Sequence, residues 1–485
     1  MAGFPDLRTH HHPLKRVMDR GFTRGRGRVL EALQGPPPAS SRLPLHDGDR
    51  VAVIGGGPAG SFFSFFLLRL ATAVGLRLHV DVYEPRQFSH LGPGGCNHCG
   101  GVVSESLVQI MAAEGISIPP SVIRSTIESY VIHMDVGSVK LRYLAEEGRI
   151  AALHRGNGPR GGNGTEATSF DAHLLRLATE GGARRIPRLV KDIEYVDGLP
   201  AMITADGTRS AGYHLVAVAA GVNSNLVPIV RRSSEPGTTR TFICEFRADP
   251  EKIRALLGNS MHVFLLDLPR LEFAALVPKG ENITLCMLGD DIDDKLIQDF
   301  LASPEVRRCL PEGVTTPVCN CSPLINIAGA NPPFADRMVF IGDGGVTRLY
   351  KDGIGAAFKT AKAAADVAAL VGVAQEDFRA GYLPICRAIE ADNSIGKVIF
   401  GGSVAFKKLR FLRRSVLGMT VREQRKFTPN RPMSMVLWNL FTGSAPYRSI
   451  LAQTFRPTFF TSLIQQLVSA NLFRQKPAEW NGDSP

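Results

Sequence analysis

The sequence predicts an α/β fold: a parallel sheet with flanking helices, an antiparallel sheet inserted into it, and a helical C-terminal segment. Three observations predict it. VAVIGGGPAG (51–60) reads as a buried strand running through a glycine-rich turn into a helix, with LHVDVYE (78–84) as the next strand. From Thr239 to about Asp291 the segments TRTFICEF, MHVFLLD, LEFAALVPKG and NITLCMLGD are strand-like in succession, which suggests a separate sheet-based domain. The chain then returns to its first pattern with RMVFIGDGG (337–345) and a long Ala-rich helix to about Val371.

The first element is the most specific. Gly55, Gly57 and Gly60 fill the three positions of G-x-G-x-x-G, with Pro58 and Ala59 inside the motif. The first glycine permits a tight turn, the second lets the backbone approach a pyrophosphate, and the third lets the helix pack on the strand. The helix start offers N–H groups and the positive end of its dipole to phosphates. Glu84, at the tip of the second strand, is placed to accept hydrogen bonds from a ribose. Strand before, helix after and acid at the right spacing lift this Rossmann-type unit above the chance matches that 49 glycines allow.

A glycine-rich loop, FSHLGPGGCNHCGG, follows Glu84, and SESLVQIMAAEGI then has Ser104 as a helix cap. SYVIHMDVGSVKLRYL (129–144) alternates like sheet, and RGNGPRGGNGTEATS (155–169) is a long loop of the kind that carries function. FDAHLLRLATEGGAR (170–184) is an amphipathic helix with a glycine at its end. Two strands are expected next, ARRIPRLVKDIEYVD and LPAMITADGTRSAGYH, the second with an Asp206-Gly207 hairpin signal. HLVAVAAGVNSNL (214–226) is a buried strand opening into a Gly/Asn turn.

Composition narrows the function classes. Hydrophobic residues at 44% and charged residues at 21% exclude wholesale disorder. The net charge of +11 belongs to the ends: residues 1–48 carry 8 Lys/Arg against 4 acids, and residues 393–478 carry 14 against the single acid Glu423. The part holding the nucleotide motif is mildly acidic, which argues against a nucleic-acid partner. The first residues lack the apolar core of a signal peptide, and the most apolar stretch, Ser61 to Leu76, contains Arg69; a cytoplasmic chain without a membrane span is expected. His10–His12 could bind metal, but three histidines in a basic leader are more often simply solvated.

Taken together, the 55–60 loop, Glu84, the turn at 219–221, VPKG (277–280) and IGDGG (341–345) resemble the FAD-dependent oxidoreductases related to p-hydroxybenzoate hydroxylase, and within them the geranylgeranyl reductases. The resemblance runs from about residue 50 to about 390. It implies a Rossmann-type FAD-binding domain in three parts, 49–128, 155–238 and 331–392. It also implies a substrate domain from strands at 129–154 and from 239–330; composition, not the resemblance, marks 1–48 as a disordered basic extension and 393–485 as a basic helical segment. Gly342 and Asp343 would meet the ribityl chain, and the following helix would aim its N-terminus at the pyrimidine side of the flavin, where reduced flavin carries negative charge. Where the family has Pro-x-x-Gly-x-Gly, this chain has RLYKDGIGAA: Gly353, Ile354 and Gly355 keep the close approach, and Lys351 is an addition that could raise the flavin potential or simply be solvated. With no second G-x-G-x-x-G, NAD(P)H or another reductant would reach the flavin transiently.

The resemblance also matches Cys99-Gly100-Gly101 to the cysteine and glycines beside the flavin. Cys96 makes the loop C-x-x-C, and Cys319 and Cys321 form a second pair. A flavin-facing or redox thiol, a metal or cluster on four thiolates, and plain packing all remain open, and no metal ligand is assigned. His98 could deliver a proton, as could Cys96 or Cys99; His133, on a strand expected to face the substrate, is weaker. Phe242, Phe246, Phe264, Leu265, Leu266 and Phe273 suit a greasy substrate wall, though some must be core.

VAFKKLRFLRRSVLGM, MVLWNLF and TFRPTFFTSLIQQLVSANLF mix cations with large apolar residues, so 393–478 could lie on the inner face of a membrane or pack over the substrate domain. The expected activity is reduction of double bonds in an isoprenoid or other lipid. The alternatives are an FAD-dependent monooxygenase acting on an aromatic or lipid substrate, and a non-catalytic FAD-bound membrane or interaction protein. The oligomeric state is not legible.

Overall fold

A computed structural model of the chain describes residues 43–88, 90–92, 99–142, 150–224, 236–314, 316–425 and 431–472. The described residues belong to the unit Leu43–Pro485. The extension expected at 1–48 lies outside the described residues up to 42, and its last six residues are part of the packed body. Leu45 is buried, the Leu43 carbonyl accepts from Val373 N at 2.9 Å, and Gly48 N donates to the Arg77 carbonyl at 2.8 Å.

Six strands form the nucleotide-type sheet, in the order Phe334–Ala335, Met338–Phe340, Leu215–Val218, Arg50–Ile54, His79–Tyr83, Arg184–Ile186. All neighbours are parallel except the first pair. Burial on both faces explains why these strands read as unbroken apolar runs. One face is covered by helices Pro58–Ala73 and Gly353–Leu370, whose Phe62 and Phe66 meet Phe358 edge-on at 5.2 Å. A Cβ on Gly60 would stand 1.9 Å from the Gly55 carbonyl oxygen, so only glycine lets the first helix start this close to its strand.

ARRIPRLVKDIEYVD, expected as one strand, is two. Pro187, which has no N–H to donate, ends Arg184–Ile186 in the parallel sheet; Val190–Val196 then pairs with Leu199–Thr204 in a separate hairpin. The Asp206-Gly207 turn forms just beyond, with Thr204 N donating to the Thr208 carbonyl at 3.0 Å.

The second sheet has seven strands, in the order Cys319–Cys321, Phe242–Arg247, Asn282–Gly289, Leu271–Lys279, Ser260–Phe264, Ser129–Met134, Gly137–Arg142. Ile150–Leu153, expected among the substrate strands, instead pairs with Val102–Val103 and Ile123–Ile127 in a small three-stranded sheet.

Register sorts the two faces of the large sheet, because directly opposed residues point the same way. Glu245, Thr284 and Val277 are aligned across three strands, as are Ile243, Cys286 and Ala275. Phe242, Phe246, Phe264 and Leu266 lie on the opposite face, in a core with Ile253 and Leu257 of helix Pro250–Leu257 and Leu296 and Phe300 of helix Asp294–Ala302. Four of the six residues offered as a substrate wall are therefore far-face core; only Leu265 and Phe273 belong to the near-face cluster. His133 is also on the far face, stacked on Phe264 at 4.7 Å, which corrects its expected orientation toward substrate.

Among the described residues the C-terminal segment holds five helices, Leu383–Lys408, Arg410–Arg425, Pro432–Thr442, Tyr447–Thr454 and Pro457–Leu472. Trp438, Phe441 and Tyr447 pack with Tyr130 and Phe273 on the near face of the large sheet. Two cations of the segment find acids outside it. Arg413 donates to both oxygens of Asp135 at 2.6 and 2.9 Å, and Lys407 Nζ stands 3.5 Å from Glu272. Phe455, Phe460, Ile464 and Val468 are exposed. Among the described residues no helix is long and apolar enough to cross a membrane.

Candidate functional site: a nucleotide cradle and a buried polar cluster

The glycine turn, Glu84 and Asp343 all follow C-terminal strand ends of the parallel sheet, the edge where open α/β sheets bind ligands. Pro58 and Ala59 open the helix after the glycines, and Ala59 meets the last motif directly: a Cβ on Gly342 would stand 2.7 Å from Ala59 Cβ. Gly353, at the start of helix Gly353–Leu370, has its open side 3.7 Å from Asp343 Oδ1. Ile354 is core, and Gly355 N donates to the capping Asp352 Oδ1 at 3.2 Å. The two motifs far apart in sequence are thus joined in space.

Glu84 takes two backbone N–H groups, from Gly56 at 2.9 Å and Arg86 at 2.8 Å, which fixes its carboxylate while leaving further lone pairs. Beyond it, a cavity of about 430 Å³ lined by Gln87, Phe88, Glu166, Arg185 and Pro187 opens beside the ends of strands His79–Tyr83 and Arg184–Ile186.

Two residues that the sequence did not single out complete the cradle. Arg155 donates to Asp171 through Nε at 3.0 Å and Nη2 at 2.8 Å, and a Cβ on Gly57 would stand 3.3 Å from that Nη2. Burial alone would lower the Arg155 guanidinium; Asp171, with the fields of Cys99 and Asp343, holds it raised. Burial pushes the Asp343 carboxyl up, against the lowering pull of Thr347 and Arg155. Asn157, on the same loop, is buried with both amide atoms unpartnered among the described residues.

The second half of the site lies where Gly100 and Gly101 meet the large sheet. A Cβ on Gly100 would stand 2.7 Å from Cys286 Sγ, and one on Gly101 would stand 3.0 Å from Lys279 Nζ. Lys279 is fully buried and its ammonium has no hydrogen-bond partner among the described residues. Glu245 is buried and takes the Thr284 hydroxyl at 2.8 Å; His154 Nδ1 stands 4.0 Å from its Oε1. Burial raises the Glu245 carboxyl, with Lys279 and Thr284 opposing. Burial, with the charge of Lys279, holds His154 well below the usual histidine range. Burial pushes the Cys286 thiol up to about 12.

Cys99, half-buried, accepts from Gly101 N at 3.4 Å and lines a cleft with His154, Glu245, Cys319 and Cys321. The two cysteine pairs of the sequence therefore meet at least through Cys99. Cys96 and His98 lie outside the described residues. Lys351 turns toward the C-terminal helices: its ammonium donates to the Phe441 carbonyl at 2.8 Å and sits 4.6 and 4.4 Å over the Phe273 and Phe441 rings. Arg348 donates to the Gly443 and Ala445 carbonyls. Residues 348–353 are thus tied to the end of helix Pro432–Thr442, where carbonyls and the dipole favour cations.

This arrangement of sheets recurs in solved flavoproteins. A flavoprotein/dehydrogenase from Cytophaga hutchinsonii superposes with a TM-score of 0.58 at 14% identity, over 88% of this chain and 100% of that one. The flavin-dependent halogenase CmlS gives 0.56 at 15%, over 88% and 78%. A variant of the halogenase PltM in complex with FAD gives 0.53 at 13%, over 88% and 93%. At these identities the likeness is one of fold. No family model matches the sequence, and no curated protein matches it.

Of the residues found here, Lys279 stood inside the VPKG strand that carried the resemblance, and Arg155 and Asn157 stood in the loop marked as functional. Glu245, His154 and Asp171 had no sequence signal, because each is an ordinary polar residue within a strand, a loop edge or a helix start.

Proposed function

We propose that the chain binds FAD and is an oxidoreductase that reduces double bonds of a hydrophobic, isoprenoid or lipid substrate. The observation that carries the cofactor is that Arg155 stands against the open side of Gly57 while Gly342, next to Asp343, stands against Ala59 of the same motif, with the orphaned amide of Asn157 two residues from Arg155. The residues fit the group. The turn 55–60 and Arg155 would hold a pyrophosphate, Glu84 a ribose, Asp343 the ribityl chain, and the start of helix Gly353–Leu370 the pyrimidine end. A protein of the same fold was solved with FAD. When bound, FAD would supply a two-electron carrier for hydride transfer, recharged by NAD(P)H or another reductant.

Saturating a double bond also needs a proton. We assign that role to Glu245, whose carboxyl burial raises and which lines one cleft with Cys99 and His154. The exposed Phe460, Ile464 and Val468, one stripe at helical spacing with Phe455 before it, support access from a lipid surface. Flotation with anionic vesicles tests that contact, and a protein left at the bottom of the gradient removes it.

The second reading is an FAD-dependent monooxygenase hydroxylating an aromatic or lipid substrate; that flavin-dependent halogenases share the fold supports a reaction other than reduction. The deciding measurement is anaerobic turnover of the chemically reduced protein with an isoprenoid. A saturated product formed without oxygen supports reduction; oxygen uptake tied to substrate supports the second reading. A purified protein that neither carries nor takes up flavin by its visible spectrum overturns both.

A further inference from the structure

On the far face of the large sheet, away from the cradle, three ligating side chains converge. His133 Nε2 and His262 Nδ1 are 2.9 Å apart, and Cys309 Sγ lies 3.6 Å from each. All three are buried, at 3, 0 and 0% exposure, and their donor atoms lie within 4.8 Å of one another. We propose that this cluster is a three-ligand site for one thiophilic d10 cation, copper(I), or zinc(II) with its fourth position left to a non-protein ligand.

The distances suit such an ion. Zinc bonds of about 2.0–2.1 Å to nitrogen and 2.3 Å to sulfur at tetrahedral angles put nitrogen and sulfur roughly 3.5 Å apart and two nitrogens roughly 3.4 Å apart. Both sulfur distances already match, and the imidazoles need to part by roughly 0.5 Å. The outer ring atoms are held as metal-binding histidines usually are. His262 Nε2 reaches the Leu257 carbonyl at 3.2 Å; a carbonyl only accepts, so Nε2 carries the proton and Nδ1 offers its lone pair inward. His133 Nε2 now donates to His262 Nδ1; for Nε2 to bind a metal its proton moves to Nδ1, whose N–H the Ser138 hydroxyl at 2.8 Å can accept as a hydrogen bond. Cation entry then releases one proton, that of the Cys309 thiol, and forms one sulfur and two nitrogen bonds. No electron is transferred.

Topology also points to a clamp. His133 and His262 stand on adjacent parallel strands, whereas Cys309 follows the short helix Pro304–Arg307 packed over that face. One ion would pin the 294–310 segment to the sheet in the core that holds Phe264 and Phe300.

Elemental analysis of full-length protein, purified and then exposed separately to zinc(II) or copper(I) and desalted, tests the site. About one equivalent of either metal in the wild type, lost in Cys309→Ser and in His262→Gln, is expected. No stoichiometric metal, or metal retained at the same level in soluble variants of both positions, overturns the proposal. If those variants do not fold, X-ray absorption on the metal-loaded wild type decides: a shell of one sulfur and two nitrogens supports the site, and an oxygen-only or sulfur-rich shell overturns it. Cys99, Cys319 and Cys321 line the other face, so a sulfur-rich shell would mark them instead.

Discussion

Arg155 donates both arms of its guanidinium to Asp171, at 3.0 and 2.8 Å, and so stands fixed against the open side of Gly57. A cation held this way is preorganised for an anionic ligand at the glycine turn, because the fork has no rotamer freedom left to lose.

Arg155→Ala should weaken FAD binding by about 10- to 100-fold, the weight of a charge-assisted hydrogen bond of about 1.5–3 kcal/mol. Arg155→Lys keeps the charge but not the fork and should fall between. Titration of flavin fluorescence against each purified variant measures this; unchanged affinity in Arg155→Ala would remove the guanidinium from the cradle.

Glu245→Gln should lower the rate of double-bond reduction by about 10²–10⁴, the usual weight of a positioned proton donor, while reduction of the flavin by its donor is unaffected. The pH profile gives the sign. Burial raises the Glu245 pKa from 4.5, so its acid form persists above that value and the wild-type rate falls as pH rises through the raised pKa. Single-turnover rates in Glu245→Gln should show no such fall.

Asp352 has its carboxyl pushed from 3.8 up to about 6 by burial, against the pull of Arg348. A carboxyl raised in the fold stabilises below its unfolded pKa and loses that contribution as pH rises from about 3.8 to about 6, on the order of 3 kcal/mol in all. Asparagine tolerates the left-handed backbone of this helix cap (φ 55°) and carries no charge. Asp352→Asn should therefore match the wild type near pH 4 and exceed it above pH 6; parallel thermal unfolding curves across that range would deny the effect.

Trp438 is buried, meets the Tyr130 ring edge-on at 5.0 Å and donates to Glu105 Oε1 at 3.4 Å. Trp438→Ala should cost about 3–5 kcal/mol, read as a lower urea midpoint, because it hollows the contact between the C-terminal helices and the large sheet. A change below about 1 kcal/mol would mean that these helices are not integral to the core.

The parallel sheet and its glycine turn were legible because local chemistry dictates them: unbroken apolar runs, glycines where a Cβ would collide, and an acid at a strand end. Gly55, Gly57, Gly60 and Glu84 announce themselves by spacing, whereas Asp343 took its role only from the family resemblance. The polar cluster was not legible, since Glu245, Lys279, His154 and Cys286 come from separate strands and one loop, and only register brings them to one face.

The sequence by itself determined the fold class, the glycine turn and the helical character of the C-terminal segment, because each rests on periodicity or motif within a few residues. Tertiary structure alone decided three things. Pleat alternation sent Phe242, Phe246, Phe264 and His133 to the far face, and pairing with Asp135 and Glu272 brought the basic helices down onto the sheet. Packing across 16 positions of chain set Arg155 against Asp171 over Gly57. These depend on which strands become neighbours, and the side-chain period of two is blind to that until the register is set.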